Sequence, residues 1–231
     1  MADDDLVRAL CDARGRTFQR LEFLGDSVLD VIVSAHVVVA EGRCPVCRDD
    51  PTTARRVVSD AALARTGATM GISGWLEWDA APERLADCVE ACVAVAWRSG
   101  GWTQAIDLVT THVHPLGFAA LPPPRPPERV DGPAVRQLGA ALLELAAGFF
   151  VWSTRLHADE GELSRARAHW HRAENVAAHA GSLGVDRSGA AGVVSNRVET
   201  MLARLVVSEG PDVALLQARR ALGLPEEADP D

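Results

Sequence analysis

Lysine and tyrosine are absent from the 231 residues, so all 23 basic residues are arginine. With alanine and valine also abundant, this looks like the usage of a GC-rich genome, and arginine abundance by itself argues for no function. A basic surplus is missing too: 32 acidic residues against 23 arginines leave a net charge of −9. That balance argues against nonspecific nucleic-acid binding by bulk attraction. It leaves room for a nucleic-acid enzyme whose acids gather around metal ions. No long apolar run is evident; VIVSAHVVVA at 31–40 is short of the roughly 20 residues a spanning helix needs and is interrupted by Ser34 and His36. No membrane segment is expected. The opening MADDDLVRAL is acidic where a secretory signal would be basic and then apolar, so a cytoplasmic location is expected.

A disulfide framework is also missing. Cys11, Cys44, Cys47, Cys88 and Cys92 are odd in number and lack framework spacing, which suits a reducing compartment. Cys44 and Cys47 form a CPVC pair resembling half a zinc site, but no second CxxC or HxxxH follows, and His36 completes it poorly. Thiols in a loop are the better reading. Short strand signals bounded by turns are absent as well. Instead, DSVLDVIVSAHVVV, ERLADCVEACVAVAWR, GPAVRQLGAALLELAAGFFVW and SNRVETMLARLVV place apolar residues at three- and four-residue spacings. The expected class is all-α.

LPPPRPPERVDGP at 121–133 lacks apolar periodicity and reads as a semi-rigid linker. It divides the chain into a first domain over 1–118, a linker over 119–133 and a second domain over 134–231. The two halves repeat each other. LEFLGDSVLDVIVS (21–34) aligns without gaps on VRQLGAALLELAAG (135–148), and DCVEACVAVAWRSGG (87–101) on NRVETMLARLVVSEG (196–210). Leu24 and Gly25 meet Leu138 and Gly139.

Glu22 and Asp26 stand four apart and Asp87 and Glu90 three apart, spacings that place each pair on one helix face. One such pair is accounted for by a solvated face; two in similar register are not. Four carboxylates brought together raise one another's pKa, and divalent cations relieve the repulsion. All-oxygen ligation suits Mg²⁺. Paired metals on carboxylates suit in-line phosphodiester hydrolysis, because one activates water and the other stabilises the departing oxygen.

RLEFLGDSVLD resembles the signature helix of the ribonuclease III family, and LADCVEACVAVAWRSGGW resembles that family's second acidic motif, a DxxEA helix ending in a Gly-Gly turn. The resemblance covers most of residues 10–115. It implies an all-helical endonuclease domain that cuts double-stranded RNA with Mg²⁺, for which Mn²⁺ substitutes, with Glu22, Asp26, Asp87 and Glu90 as the catalytic, metal-ligating acids. It also implies close helix packing at Gly25. Phe23 looks like the residue that plugs into a partner domain, with a plain core aromatic as the competing reading. Departures exist: Gln19 stands where the family has an acid, so an RNA-contacting role there is in doubt. RDDPTTARRVVSDAALA (48–64) matches the family's middle segment loosely, leaving Arg55 and Arg56 as phosphate-contact candidates against the alternative of a solvated face.

In the second half the four acidic positions become Arg136, Ala140, Asn196 and Glu199. One glutamate cannot hold a metal pair, so this copy is expected to be catalytically dead. ADEGELSRARAHWHRAENVAAHAGSLGVD (158–186) nevertheless resembles the family's middle segment better than the first half does, with Glu160, Glu162, Arg165 and Arg167 in place. The resemblance implies two ribonuclease III-like domains in tandem, packed as a pseudo-two-fold pair within the chain, or else a homodimer through the first domains. With only PEEADPD after residue 224, the double-stranded-RNA-binding domain the family often appends is expected to be absent. Affinity is then expected from the cleft, a structured RNA or an accessory RNA-binding protein, and to be weak and salt-dependent, since residues 1–120 carry 11 arginines against 17 acids. The competing expectation is a noncatalytic RNA-binding or ribosome-assembly scaffold on the same fold.

Overall fold

The computed structural model describes residues 15–40, 58–76, 81–113 and 132–225. The described residues are all-α, without strands. The first helices are α1 (Arg16–Ala40), α2 (Asp60–Thr69) and α3 (Pro82–Leu108). After the gap come α4 (Pro133–Thr154), α5 (Glu160–Trp170), α6 (Ala173–His179), α7 (Ala191–Glu209) and α8 (Pro211–Ala221). All four segments read as helical from their periodicity lie in these elements. The chain forms two compact units, the first of residues 1–33 and 40–121, the second of 34–39 and 122–231. The Pro-rich stretch lies almost wholly outside the described residues, as do CPVC, Arg55 and Arg56.

In the first unit α1 is apolar on most of its circumference. Phe18, Leu21, Leu24, Val28, Val31 and Ile32 are buried, and so are Phe23 and Leu29. A helix buried nearly all round is a core helix. Its interruption is a stripe of half-buried acids, Glu22, Asp26 and Asp30, at four-residue spacing. α3 carries Ala86, Val89, Val93 and Ala94 into the core. Near its start, the Arg84 guanidinium lies over the Phe18 ring at 4.1 Å from the centroid, tying α3 to the beginning of α1. α2 packs along α3.

The second unit is also built around two long, largely buried helices. α4 is buried through Leu138, Leu142, Leu143, Leu145 and Ala146, and α7 through Val194, Val198 and Leu202. α4 packs against α5, α7 and α8, and α6 against α7. By length and composition α4 would pass for a membrane span, which the expectation drawn from the 31–40 run overlooked, yet most of its apolar stretch is buried. α5 begins in a capping box: the Glu162 amide donates to the Asp159 carboxylate at 2.8 Å and the Asp159 amide to the Glu162 carboxylate at 3.0 Å. Glu162 is therefore engaged in starting a helix.

The two units share three backbone features. A Cβ built on Gly25 would overlap the backbone carbonyl of Glu90, and one built on Gly139 would overlap that of Glu199. At the aligned position in each unit, two long helices touch backbone to backbone. Gly71 and Gly184 are left-handed, φ 77° and 70°, Gly71 at the start of the short helical stretch Ile72–Trp75 and Gly184 at the end of Ala180–Leu183. Gly101 and Gly210 also have positive φ, 63° and 98°. Gly100 and Gly101 break α3, where the sequence resemblance expects a Gly-Gly turn, and Gly210 with Pro211 separates α7 from α8.

Gly25→Ala and Gly139→Ala are each expected to destabilise by about 1–3 kcal/mol or more, because the obstructing atoms are backbone and cannot rotate away. Chemical denaturation of each variant checks this. Wild-type stability in either would mean that the helices do not cross there.

Candidate metal centre

Gly25 lies between Glu22 and Asp26 in sequence, so its contact with the Glu90 backbone brings α3 in at the level of both α1 acids. Glu22, Asp87 and Glu90 each offer a carboxylate oxygen, and these three atoms lie within 4.8 Å of one another. All three side chains are half-buried.

Glu90 shows the electrostatic consequence. Its carboxyl is pushed up to about 9, first by burial, then by the negative charges of Asp26, Glu22, Asp87 and Asp60 in that order. Asp26 therefore acts on Glu90 more strongly than Glu22 does, although it is not one of the three mutually close oxygens. The structure brings all four sequence-predicted acids to one place, three as a tight set and Asp26 beside them. Left without a cation, the cluster keeps a proton on Glu90 at neutral pH.

The donor chemistry fits a hard divalent cation. Every candidate ligand is a carboxylate oxygen, and no histidine or thiol belongs to the set. Cys88 and Cys92, on the same helix as Asp87 and Glu90, are buried and lie outside it. Half-burial leaves a side of the cluster open to water, which Mg²⁺ retains in its shell.

Asp60 was missed in the sequence. It sits in the first turn of α2, where an acid after Ser59 reads as an ordinary helix start. Its influence on Glu90 arises from the packing of α2 on α3, which no spacing rule reveals.

The remaining candidates are distributed differently. Gln19 is exposed on α1, one turn before Glu22. Phe23 is buried, 4% exposed, which both readings of it require. Arg165 is exposed and lines a cavity of about 750 Å³ with Arg155, His157 and Glu162, while Arg167 is half-buried; both belong to the second unit.

Those positions in the second unit contain no cluster of acids. Arg136 and Asn196 are exposed and Ala140 is half-buried. The surviving carboxylate, Glu199, accepts a hydrogen bond from the Ser195 hydroxyl at 3.0 Å. A lone carboxylate with a local donor needs no cation.

No protein-family model matches the chain. The chain is similar to "Ribonuclease 3" of Azorhizobium caulinodans (strain ORS 571), 36% identical over 107 residues, which cover 42% of this chain and 44% of that protein. It thus spans less than half the length of the curated relative it matches. The likeness agrees with the family suggested by RLEFLGDSVLD and DCVEA.

Proposed function

We propose that the chain is a divalent-metal-dependent endoribonuclease of ribonuclease III type, hydrolysing phosphodiester bonds of double-stranded or structured RNA, with one active site per chain. The observation that carries this reading is the convergence of Glu22, Asp87 and Glu90, with Asp26 beside them. The similarity to a protein named Ribonuclease 3 supports it from a separate direction. In this reading residues 1–118 form the active domain, 119–133 the linker and 134–231 a degenerate domain.

Glu22, Asp26, Asp87 and Glu90 would hold Mg²⁺, or Mn²⁺ in its place. Such cations, when bound, supply a water of lowered pKa and positive charge at the departing oxygen. The chain's own contribution is to fix the ligands. Gly25 permits the crossing that aligns α1 with α3, and burial of Glu90 keeps its carboxylate from being solvated away. Glu90 must release its proton for a cation to be bound, so metal binding is coupled to proton release.

A noncatalytic RNA-binding scaffold is the second reading. Gln19 at a position where the resemblance expects an acid, and the loss of three of four acids from the second unit, favour it. Incubation with labelled duplex RNA separates the two: absence of product in both Mg²⁺ and Mn²⁺, with the duplex still bound, would favour the scaffold.

Glu90→Gln and Asp26→Asn should each lower duplex-RNA cleavage by at least about 10²-fold with the helical circular-dichroism spectrum unchanged, the scale expected when the charge that anchors the metals is lost. Retained cleavage by both amide variants in Mg²⁺ refutes the site assignment.

The raised Glu90 carboxyl also sets a pH dependence. Between its ordinary value of 4.5 and about 9, the unfolded chain has released this proton and the native, metal-free protein still holds it. Its contribution to stability is therefore complete below the unfolded value and is lost as pH rises through the folded one. Metal-free protein should lose Tm between about pH 5 and about pH 9, and Glu90→Gln should flatten that decline. Mg²⁺ should raise Tm at the alkaline end in the wild type only. Equal slopes for the two proteins in EDTA would contradict the burial of a shared proton.

A further inference from the structure

The position that carries the acid cluster in the first unit opens, in the second, onto a cavity of about 420 Å³ lined by Arg136, Val193, Asn196, Arg197, Thr200, Met201 and Arg204. No carboxylate is among the lining residues. Arg136 occupies the aligned position of Glu22, and Asn196 that of Asp87. Arg197 and Arg204 align with Cys88 and Val95, which are buried in the first unit and can carry no charge of this kind. None of the three arginines is therefore a remnant of the repeat. Composition makes arginine common everywhere in this chain, but it does not gather three around one cavity from two helices.

The arrangement is that of an anion site. The six α7 residues lie at i, i+3, i+4, i+7, i+8 and i+11 from Val193, one continuous stripe along the helix. Arg136 comes from the first turns of α4, where the backbone amides add positive potential to its own charge. Arg197 is anchored from behind: its Nη1 donates to the Asp186 carbonyl at 3.0 Å, the Asp186 carboxylate at 3.2 Å and the Ser188 carbonyl at 2.7 Å. All of these bonds run through one nitrogen, so the fork retains donors at Nε and Nη2 in a fixed orientation. Asp186 neutralises part of that one charge, and Glu199 is occupied by Ser195. Asn196 and Thr200 place an amide and a hydroxyl on the same stripe. Thr200 Oγ1 donates its one proton to the Asn196 carbonyl at 2.8 Å, so of these two side chains the Asn196 amide is the donor an anion can use.

We propose that the second unit has exchanged a cation site for a phosphate site: Arg136, Arg197 and Arg204, with Asn196, bind a phosphate group in the place where the first unit gathers carboxylates. Arginine forks match phosphate oxygens in pairs, and none of the residues lining the cavity is a carboxylate. The phosphate is either that of an RNA backbone or that of a small phosphate ester. The RNA alternative rests on the duplex-RNA reading given above, while phosphate recognition itself does not.

Two measurements on the full chain test this. Thermal unfolding in inorganic phosphate, against chloride at equal ionic strength, should show a Tm rise that grows with phosphate concentration. Arg136→Glu should abolish the rise, and Arg204→Gln should reduce it. Both variants leave Glu22, Asp26, Asp87 and Glu90 intact, so the Mg²⁺-induced Tm rise at alkaline pH should persist in each. Anisotropy of a labelled RNA duplex in EDTA identifies the source: if it is the RNA backbone, Arg136→Glu weakens binding about tenfold and lowers the slope of log affinity against log salt by about one. Unchanged duplex affinity together with a lost phosphate response assigns the site to a small phosphate ester. A phosphate response equal in wild type and both variants overturns the proposal, whether or not the chain cleaves RNA.

Discussion

The approach of two helix backbones at a glycine is the contact on which both units depend. At Gly25 the absence of a Cβ lets α3 come up against α1 so closely that the carbonyl of Glu90 fills the space a side chain would take. The same contact recurs between Gly139 and Glu199. Because both partners at the crossing are backbone, the relative height of the two helices is fixed more tightly than side-chain packing alone would fix it. Everything that distinguishes the two units chemically is arranged around that crossing.

In the first unit the crossing concentrates negative charge. Glu22 and Asp26 flank Gly25, Asp87 precedes Glu90 by one turn, and burial removes the water that would screen them. A carboxyl raised to about 9 is the cost of that concentration. In the second unit the same crossing holds a single carboxylate, satisfied by Ser195, and the surrounding positions have turned to arginine and amide. The two units thus have a backbone contact of the same kind, with side chains of opposite charge beside it.

Much of this was legible in the residues. The long helices declared themselves through apolar spacing, since a buried helix must repeat every three to four residues. Glu22, Asp26, Asp87 and Glu90 were legible because each pair sits within one helix, where spacing alone fixes the face. The Gly100–Gly101 break was legible because a second glycine frees the chain from helical dihedrals. Asp60 was not, since its influence on Glu90 depends on how α2 packs against α3. α4 shows the converse: its apolar composition alone would allow a membrane span, and the burial of most of that stretch fits a core helix.

The sequence by itself determined the all-α class, the internal repeat and the two acid pairs, because these follow from periodicity and from spacing within single helices. Tertiary structure decided which acids meet, how far Glu90 is driven from its ordinary pKa, and that Arg136, named in the sequence only as a lost carboxylate, stands with Arg197 and Arg204 on one cavity. The physical reason is the range of the interactions. Helix formation and facial patterning are settled within a few turns of chain, whereas charge coupling acts across space between helices whose separation is set by a single missing Cβ.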